Sequence, residues 1–431
     1  MRNFKIMKQK IETSLIILTL FIILTSCVKR EERIHNSEGE DSISVITKAE
    51  NKIGKVVFYL ENSESMFGYV NGFTEYVDVV SELSEKPEFA AEKTEREFYF
   101  INGGSQIQKI PLGNNPAVLK TKLSKAGFNC GDITKSNLNS MFQIALEKAQ
   151  NDTISILISD GIYDIGKPQS PLNALITEGK ETRSKFIYRL QDGDLQTLLM
   201  KLSSNFNGNY FYSSHSGKKL INQSRPFYIW IFGKTELLNK YFNEEYISQH
   251  LKGYEDYARF LVIDENTIPY QITTSINRKG EFRPDHNVKN KLIKAEPRHG
   301  EFQFSFAVDF NSLPFSEIYL TDTSNYSCSN PNFKITTVEK IKDNQKHEVT
   351  EFSQPTHIIT VYTDKNPNGH LEIVLKNEIP NWITETDIDN ENNIDDTHTF
   401  GYKYLTNAIS EAYSNKNNGK KLAKFNIEIS N

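Results

Sequence analysis

The sequence predicts a two-part protein, a doubly wound, mostly parallel α/β sheet over residues 54–264 followed by an antiparallel β-rich domain over 265–431. Three observations lead there. Apolar runs suited to buried strands alternate with helical stretches as far as Ile263, the pattern of successive βαβ units. Beyond Asp264 the helical periodicity stops, and Phe302, Phe304, Phe306, Val308 and Phe310 alternate with other residues, as in a strand with one buried face. A chain of 431 residues also exceeds one comfortable hydrophobic core.

The N-terminus reads as a targeting segment. Arg2, Lys5, Lys8 and Lys10 precede an apolar run, Ser14 to Ser26, too short for a membrane span and shaped like a secretory signal. It ends in Leu24-Thr25-Ser26-Cys27. Small residues before a cysteine resemble the bacterial lipoprotein processing site, which implies that Cys27 becomes the lipidated first residue and holds the protein at a membrane. Residues 28–53 are polar, without apolar periodicity, and read as a flexible tether. Their acidic residues (Glu31, Glu32, Glu38, Glu40, Asp41) resemble surface-export signals of some Bacteroides-type lipoproteins, although Lys29 and Arg30 come first. The expected location is the cell envelope, on an outer membrane, facing periplasm or cell surface.

In the α/β part, strands are expected at Lys55 to Leu60, Glu97 to Ile101, Thr153 to Ile158, Phe227 to Phe232 and Arg259 to Ile263. Helices are expected at Phe73 to Ser84, Ala117 to Lys125, Leu138 to Gln150, Leu195 to Ser204 and Thr235 to Asn243. The clearest is the third, where Leu138, Phe142, Ala145 and Leu146 form one apolar face. Gly161 to Asp194 lacks strong periodicity and is long for a connection, so it reads as a functional rim or an insertion. Asn205 to Ser216 suits a short hairpin.

In the β-rich part, His357 to Thr363 and His370 to Leu375 flank Asn366-Pro367-Asn368-Gly369, and Asn-Gly is a hairpin turn signal. Asp387 to His398 reads as a solvated acidic loop; its opening suggests a calcium loop, but Asn392 stands where that motif needs glycine. An amphipathic helix follows at Tyr402, Leu405, Ile409 and Ala412, then a strand from Lys424 to Ile429.

Composition narrows the function. The formal charge is −5 and includes the basic N-terminus, so the remaining body is more acidic and nucleic-acid binding loses support. Twenty Tyr and twenty-seven Phe suit β-sheet cores first, and Trp230 and Trp382 read as core. Cys130 and Cys328, far apart in sequence and without zinc spacing, could pair in an oxidising compartment, with separate thiols the plainer reading. No phosphate loop, dinucleotide fingerprint, nucleophile elbow or metalloprotease helix occurs.

The chemistry-bearing residues sit at strand ends. Val56 to Leu60 runs into Glu61-Asn62-Ser63-Glu64-Ser65; Thr134 and Ser136 precede the helix at Leu138; Ile156-Leu157-Ile158 runs into Ser159-Asp160-Gly161. Buried strands of α/β sheets present functional groups at their carboxyl ends, and hard oxygen ligands of this kind suit Mg²⁺, Mn²⁺ or Ca²⁺. Taken singly, each has a plain role: Ser63 and Ser65 as turn residues, Ser136 as a helix cap, Asp160-Gly161 as a turn.

Together they resemble the von Willebrand factor A-type domain, whose metal-ion-dependent adhesion site uses D-x-S-x-S after the first strand, a threonine before a central helix and an aspartate after the next strand. The resemblance covers about half of the chain. Ser63 and Ser65 match the two serines and Asp160 the aspartate. Ser136 matches the threonine by its position before Asn137-Leu138, Thr134 by its residue type. Glu61 departs from the family aspartate, and its extra methylene shifts the carboxylate by roughly 1 Å. The resemblance implies a Rossmann-like sheet and a divalent ion completed by an acidic side chain of a protein or surface ligand. It therefore implies adhesion rather than turnover. Two alternatives remain: a metal-assisted phosphate or sulfate ester hydrolase with Ser63 or Ser65 as nucleophile, and a metal-free structural or assembly lipoprotein.

Overall fold

A computed structural model describes residues 52–166, 168–211, 217–264, 266–389, 395, 397–417 and 419–431. The signal-like segment, Cys27, the tether and most of the acidic loop after Asp389 lie outside the described residues.

Seven strands form the first sheet: β1 (Lys55–Glu61), β2 (Glu95–Asn102), β3 (Gln108–Gly113), β4 (Thr153–Ser159), β5 (Gln196–Phe211), β6 (Gly217–Gly233) and β7 (Tyr254–Phe260). Their order is β3-β2-β1-β4-β6-β5-β7. β1 pairs in parallel with β2 and β4, and the other neighbours are antiparallel. β1, β2, β4 and β5 thus run one way and β3, β6 and β7 the other. The sheet is parallel at its centre, where β1 from Val56 to Leu60 is wholly buried, and antiparallel toward β7. Four longer helices are α1 (Glu75–Ser84), α2 (Leu138–Lys148), α3 (Pro171–Gln191) and α4 (Tyr402–Lys416).

Two expected elements are corrected here. Leu195 to Ser204 is strand β5, not a helix. Its leucines at 195, 198, 199 and 202 fit a helical face, but the strand lies between β6 and β7 and is buried on both faces over Gln196–Met200, so apolar residues fall on either side. The stretch Gly161 to Asp194 holds α3 rather than an irregular rim. Ser170 caps it, accepting from the Asn173 amide at 3.3 Å, and Pro171 begins it. Its buried stripe, Leu175, Gly179, Thr182, Phe186 and Leu190, is broken by two residues that carry little apolar signal. Of the hairpin expected over Asn205 to Ser216, Asn205 to Phe211 is the far end of β5, paired with β6, and residues 212–216 lie outside the described residues.

Among the described residues the β-rich part has eleven strands: β8 (Tyr270–Ile272), β9 (Glu281–Pro284), β10 (Lys291–Glu296), β11 (Phe302–Val308), β12 (Tyr326–Cys328), β13 (Lys334–Lys340), β14 (His357–Thr363), β15 (Gly369–Lys376), β16 (Asp387–Ile388), β17 (Thr399–Phe400) and β18 (Lys421–Ile429). A five-stranded sheet, β12-β15-β18-β10-β9, and a four-stranded one, β13-β14-β11-β8, enclose an aromatic core. Phe302, Phe304 and Phe306 on one sheet share it with Leu371, Ile373 and Phe425 on the other. The expected hairpin at Asn368-Gly369 is not one, because β14 and β15 belong to different sheets. The intervening residues carry the chain across the sandwich, with Gly369 at φ +108°.

The late helix does not pack on this sandwich. Tyr402, Leu405, Ile409, Ala412 and Tyr413 of α4, with Trp382 and Phe400, share a core with Leu199, Trp230 and Phe232 of the first sheet. The Tyr228 and Tyr402 rings stack with centroids 4.1 Å apart. After α4 the chain returns to the sandwich as β18. Cys130 and Cys328 are both free thiols.

Candidate metal centre

The carboxyl ends of β1, β2 and β4 lie on one rim, because the register pairs Glu61 with Ile101 and Leu60 with Ile158. The loop before α2 is pinned to that rim. Gly103 N donates to Lys135 O and Asn137 N to Gly103 O, each at 3.0 Å, which holds Ser136 beside the end of β2. Two buried asparagines that the sequence reading missed secure the rest of the loop. Asn62 Nδ2 donates to the carbonyls of Phe128 and Cys130, both at 2.9 Å, and Asn102 Nδ2 donates to Asn62 Oδ1 at 3.0 Å and to Cys130 O at 2.8 Å. Side-chain amides satisfy these loop groups where no strand does.

Five of the six expected residues converge. Glu61 Oε1 accepts from Ser63 Oγ at 2.8 Å and from Ser136 Oγ, and Ser63 Oγ lies 3.0 Å from Ser65 Oγ. Asp160 belongs to the same cluster, its charge acting on Glu61 and its carboxylate accepting from Ser65. Thr134 is exposed and donates to Asp132 Oδ1 at 2.8 Å. It lines the same cavity but does not touch Glu61, so Ser136 holds the position beside Glu61 that the sequence left open. The capping roles fall elsewhere. Ser63 makes no side-chain cap to the following 3-10 turn, and α2 is capped by Asn137, which accepts from Ser140 N. Gly161 has φ +73° and faces the Tyr228 and Tyr402 rings so closely that a Cβ would clash, which allows Asp160 to turn at the rim.

The electrostatics are those of two acids removed from water. Glu61 is 1 % and Asp160 3 % exposed. Burial, then the Asp160 charge, pushes Glu61 up to about 7 against the hydroxyls of Ser136, Ser63 and the nearby Ser159. Burial also raises Asp160 above the ordinary carboxylate range, against the Ser65 hydrogen bond and the Arg225 field. Arg225, absent from the sequence-based set, is the buried cation here. It packs over the Tyr210 ring at 3.7 Å and donates to the His398 and Asp395 carbonyls at 3.0 and 3.3 Å. No motif marks it; an arginine within a long strand is the one signal.

The cavity above these residues has a volume of about 280 Å³, with Ile162, Ile165 and Phe211 as apolar walls and Lys135 at its edge. Glu61 Oε2 is buried without a hydrogen-bond partner. An unsatisfied carboxylate oxygen among three hydroxyls and a second acid is a hard, anionic donor set, and it fits a divalent ion better than it fits an empty space. Among the described residues no group of three or more His, Cys, Asp or Glu side chains could hold a metal; this cluster contributes two carboxylates, its other donors being hydroxyls. No helix among the described residues is long and apolar enough to cross a membrane. Comparison of the sequence with protein-family models and with curated proteins gives no match.

Proposed function

We propose that this chain is a lipid-anchored binding protein whose α/β region is von Willebrand A-like. In this reading it engages an acidic side chain of a protein or surface ligand at a divalent-ion site, Mg²⁺ or else Mn²⁺ or Ca²⁺. Glu61, Ser63, Ser65, Ser136 and Asp160 would hold the ion, and Cys27 would hold the protein at the envelope membrane. The observation that carries the reading is Glu61 Oε2, buried and unpartnered beside a second buried acid. When bound, the ion supplies positive charge that both offsets these acids and attracts a carboxylate from outside.

The chain's own residues prepare that exchange. The Ser63 and Ser136 hydroxyls fix one oxygen of Glu61 and leave the other uncommitted. Arg225 offsets part of the Asp160 charge. The test is thermal unfolding of the chain from residue 28 onward with Mg²⁺, Mn²⁺ and Ca²⁺ titrated in, beside Asp160→Asn. Saturating ion should raise the wild-type midpoint by roughly 2–6 °C and leave the variant unmoved. A wild-type midpoint indifferent to all three ions would refute the metal reading.

A further inference from the structure

A second cavity, of about 590 Å³, adjoins the candidate site, and Glu64 and Phe211 line both. Its walls come from the segment after β1 (Glu64, Phe67 and Asn71) and from β5 and β6, with Phe67, Leu220 and Ile221 as apolar surface. The two walls are fastened together, since Asn71 Nδ2 donates to the Asn207 carbonyl at 2.9 Å. Leu220 is buried while Ile221 is 59 % exposed, so the groove has an apolar floor open to solvent.

The charge along it is uneven. Lys125 and Lys219 line the second cavity and Lys135 the first; all are exposed and none forms an ion pair with a described residue. In the second cavity the two lysines outnumber Glu64, whereas in the first Lys135 faces Glu61, Glu64, Asp160 and Asp164, so that cavity suits a carboxylate only with the ion bound. Glu64, standing where the cavities meet, opposes a negative group at that point. With the ion bound, the pattern read along the groove is therefore cationic, anionic, cationic.

We propose that the groove carries an extended acidic segment of a partner protein. One carboxylate sits at the candidate site, uncharged residues pass Glu64, an apolar side chain packs on Phe67, Leu220 and Ile221, and a second carboxylate lies near Lys125 and Lys219. Only the first contact rests on the metal reading. Continuity with the candidate site and the charge pattern both favour a peptide over a compact anion, which would fill one cavity alone.

The test uses fluorescein-labelled peptides carrying one Asp, a Gly-Ser spacer of varied length and a Leu-Glu end, with binding read by anisotropy in Mg²⁺ and in EDTA. In Mg²⁺ at least one spacer length should bind. Changing the terminal Glu to Gln, or combining Lys125→Gln with Lys219→Gln in the protein, should each weaken it about tenfold. The two losses should not add, because each removes the same contact. Asp160→Asn should weaken binding while keeping the preference for Glu over Gln. The lysines are exposed, so an unchanged melting temperature shows that the variant is folded.

Peptides that bind in Mg²⁺ without regard to Glu or Gln, and without regard to the lysines, would overturn the groove and leave the metal reading intact. Failure of every spacer length to bind a protein whose melting temperature responds to Mg²⁺ would do the same. A Glu preference and lysine dependence that persist in EDTA, with no response to Mg²⁺, would uphold the groove and sink the metal reading.

Discussion

Glu61 governs the centre through the side-chain carboxyl that no hydrogen bond completes. With its pKa raised to about 7 in the fold, against an ordinary value of 4.5, the folded state binds more protons than the unfolded chain between those values. Stability contributed by this group is therefore greatest below pH 4.5 and is lost as pH rises toward 7; Asp160, also raised, acts in the same direction. Glu61→Gln removes the ionisation. In EDTA the variant should match wild type near pH 5 and exceed it in denaturation midpoint near pH 8, and a variant that is less stable at pH 8 would refute this account. At this scale the sequence was legible where chemistry repeats a spacing: Glu61, Ser63, Ser65 and Asp160 stand at strand ends and converge as expected. It was not legible where two hydroxyls compete, because Thr134 and Ser136 differ only in which one a backbone bridge to Gly103 brings inward. Asn62, Asn102 and Arg225 were missed because their partners are carbonyls and rings supplied by distant segments.

Elements were legible in proportion to how much of their burial comes from apolar side chains. β1, β4 and α2 announce themselves, and β11 displays its phenylalanines on alternate positions. α3 is hidden because two of its five core-facing stripe positions are Gly179 and Thr182. Thr182 donates to Asn139 Oδ1 at 2.5 Å, and Gly179 lets the Tyr404 carbonyl approach to where a Cβ would stand 3.0 Å away. A close helix pair thus replaces the apolar signal that would have revealed it. β5 fails in the opposite sense, since burial on both faces fills a strand with leucines that mimic a helix. The α3–α4 contact gives an element-scale expectation. Ile409 is fully buried in the core of the first sheet, so Ile409→Ala should cost about 2–5 kcal/mol in chemical denaturation. A loss under about 1 kcal/mol would mean that α4 is not seated there.

At the scale of the whole molecule, the chain leaves the first sheet after β7, builds most of the sandwich, returns as α4 and ends in the sandwich as β18. Sequence order suggests a cut at Asp264, but the packing denies it. The face of the first sheet carrying Leu199, Trp230 and Phe232 is covered by Trp382, Phe400 and α4, all beyond that cut. Polar contacts reinforce the cover: Thr197 Oγ1 lies 2.8 Å from the Tyr413 hydroxyl, Tyr228 bonds Thr399 at 2.8 Å, and the Arg225 beneath the candidate site donates to the His398 carbonyl. A chain ending at Asp264 would expose that apolar face and remove two of the carbonyl partners of a buried arginine, both strongly destabilising. Residues 52–264 alone should therefore bind a hydrophobic dye and unfold without a cooperative transition, and should show no Mg²⁺-dependent shift. Residues 52–431 should unfold sharply with little dye bound. A sharp transition in the shorter chain would show that the first sheet closes on itself, and that the late helix contributes packing without completing the domain.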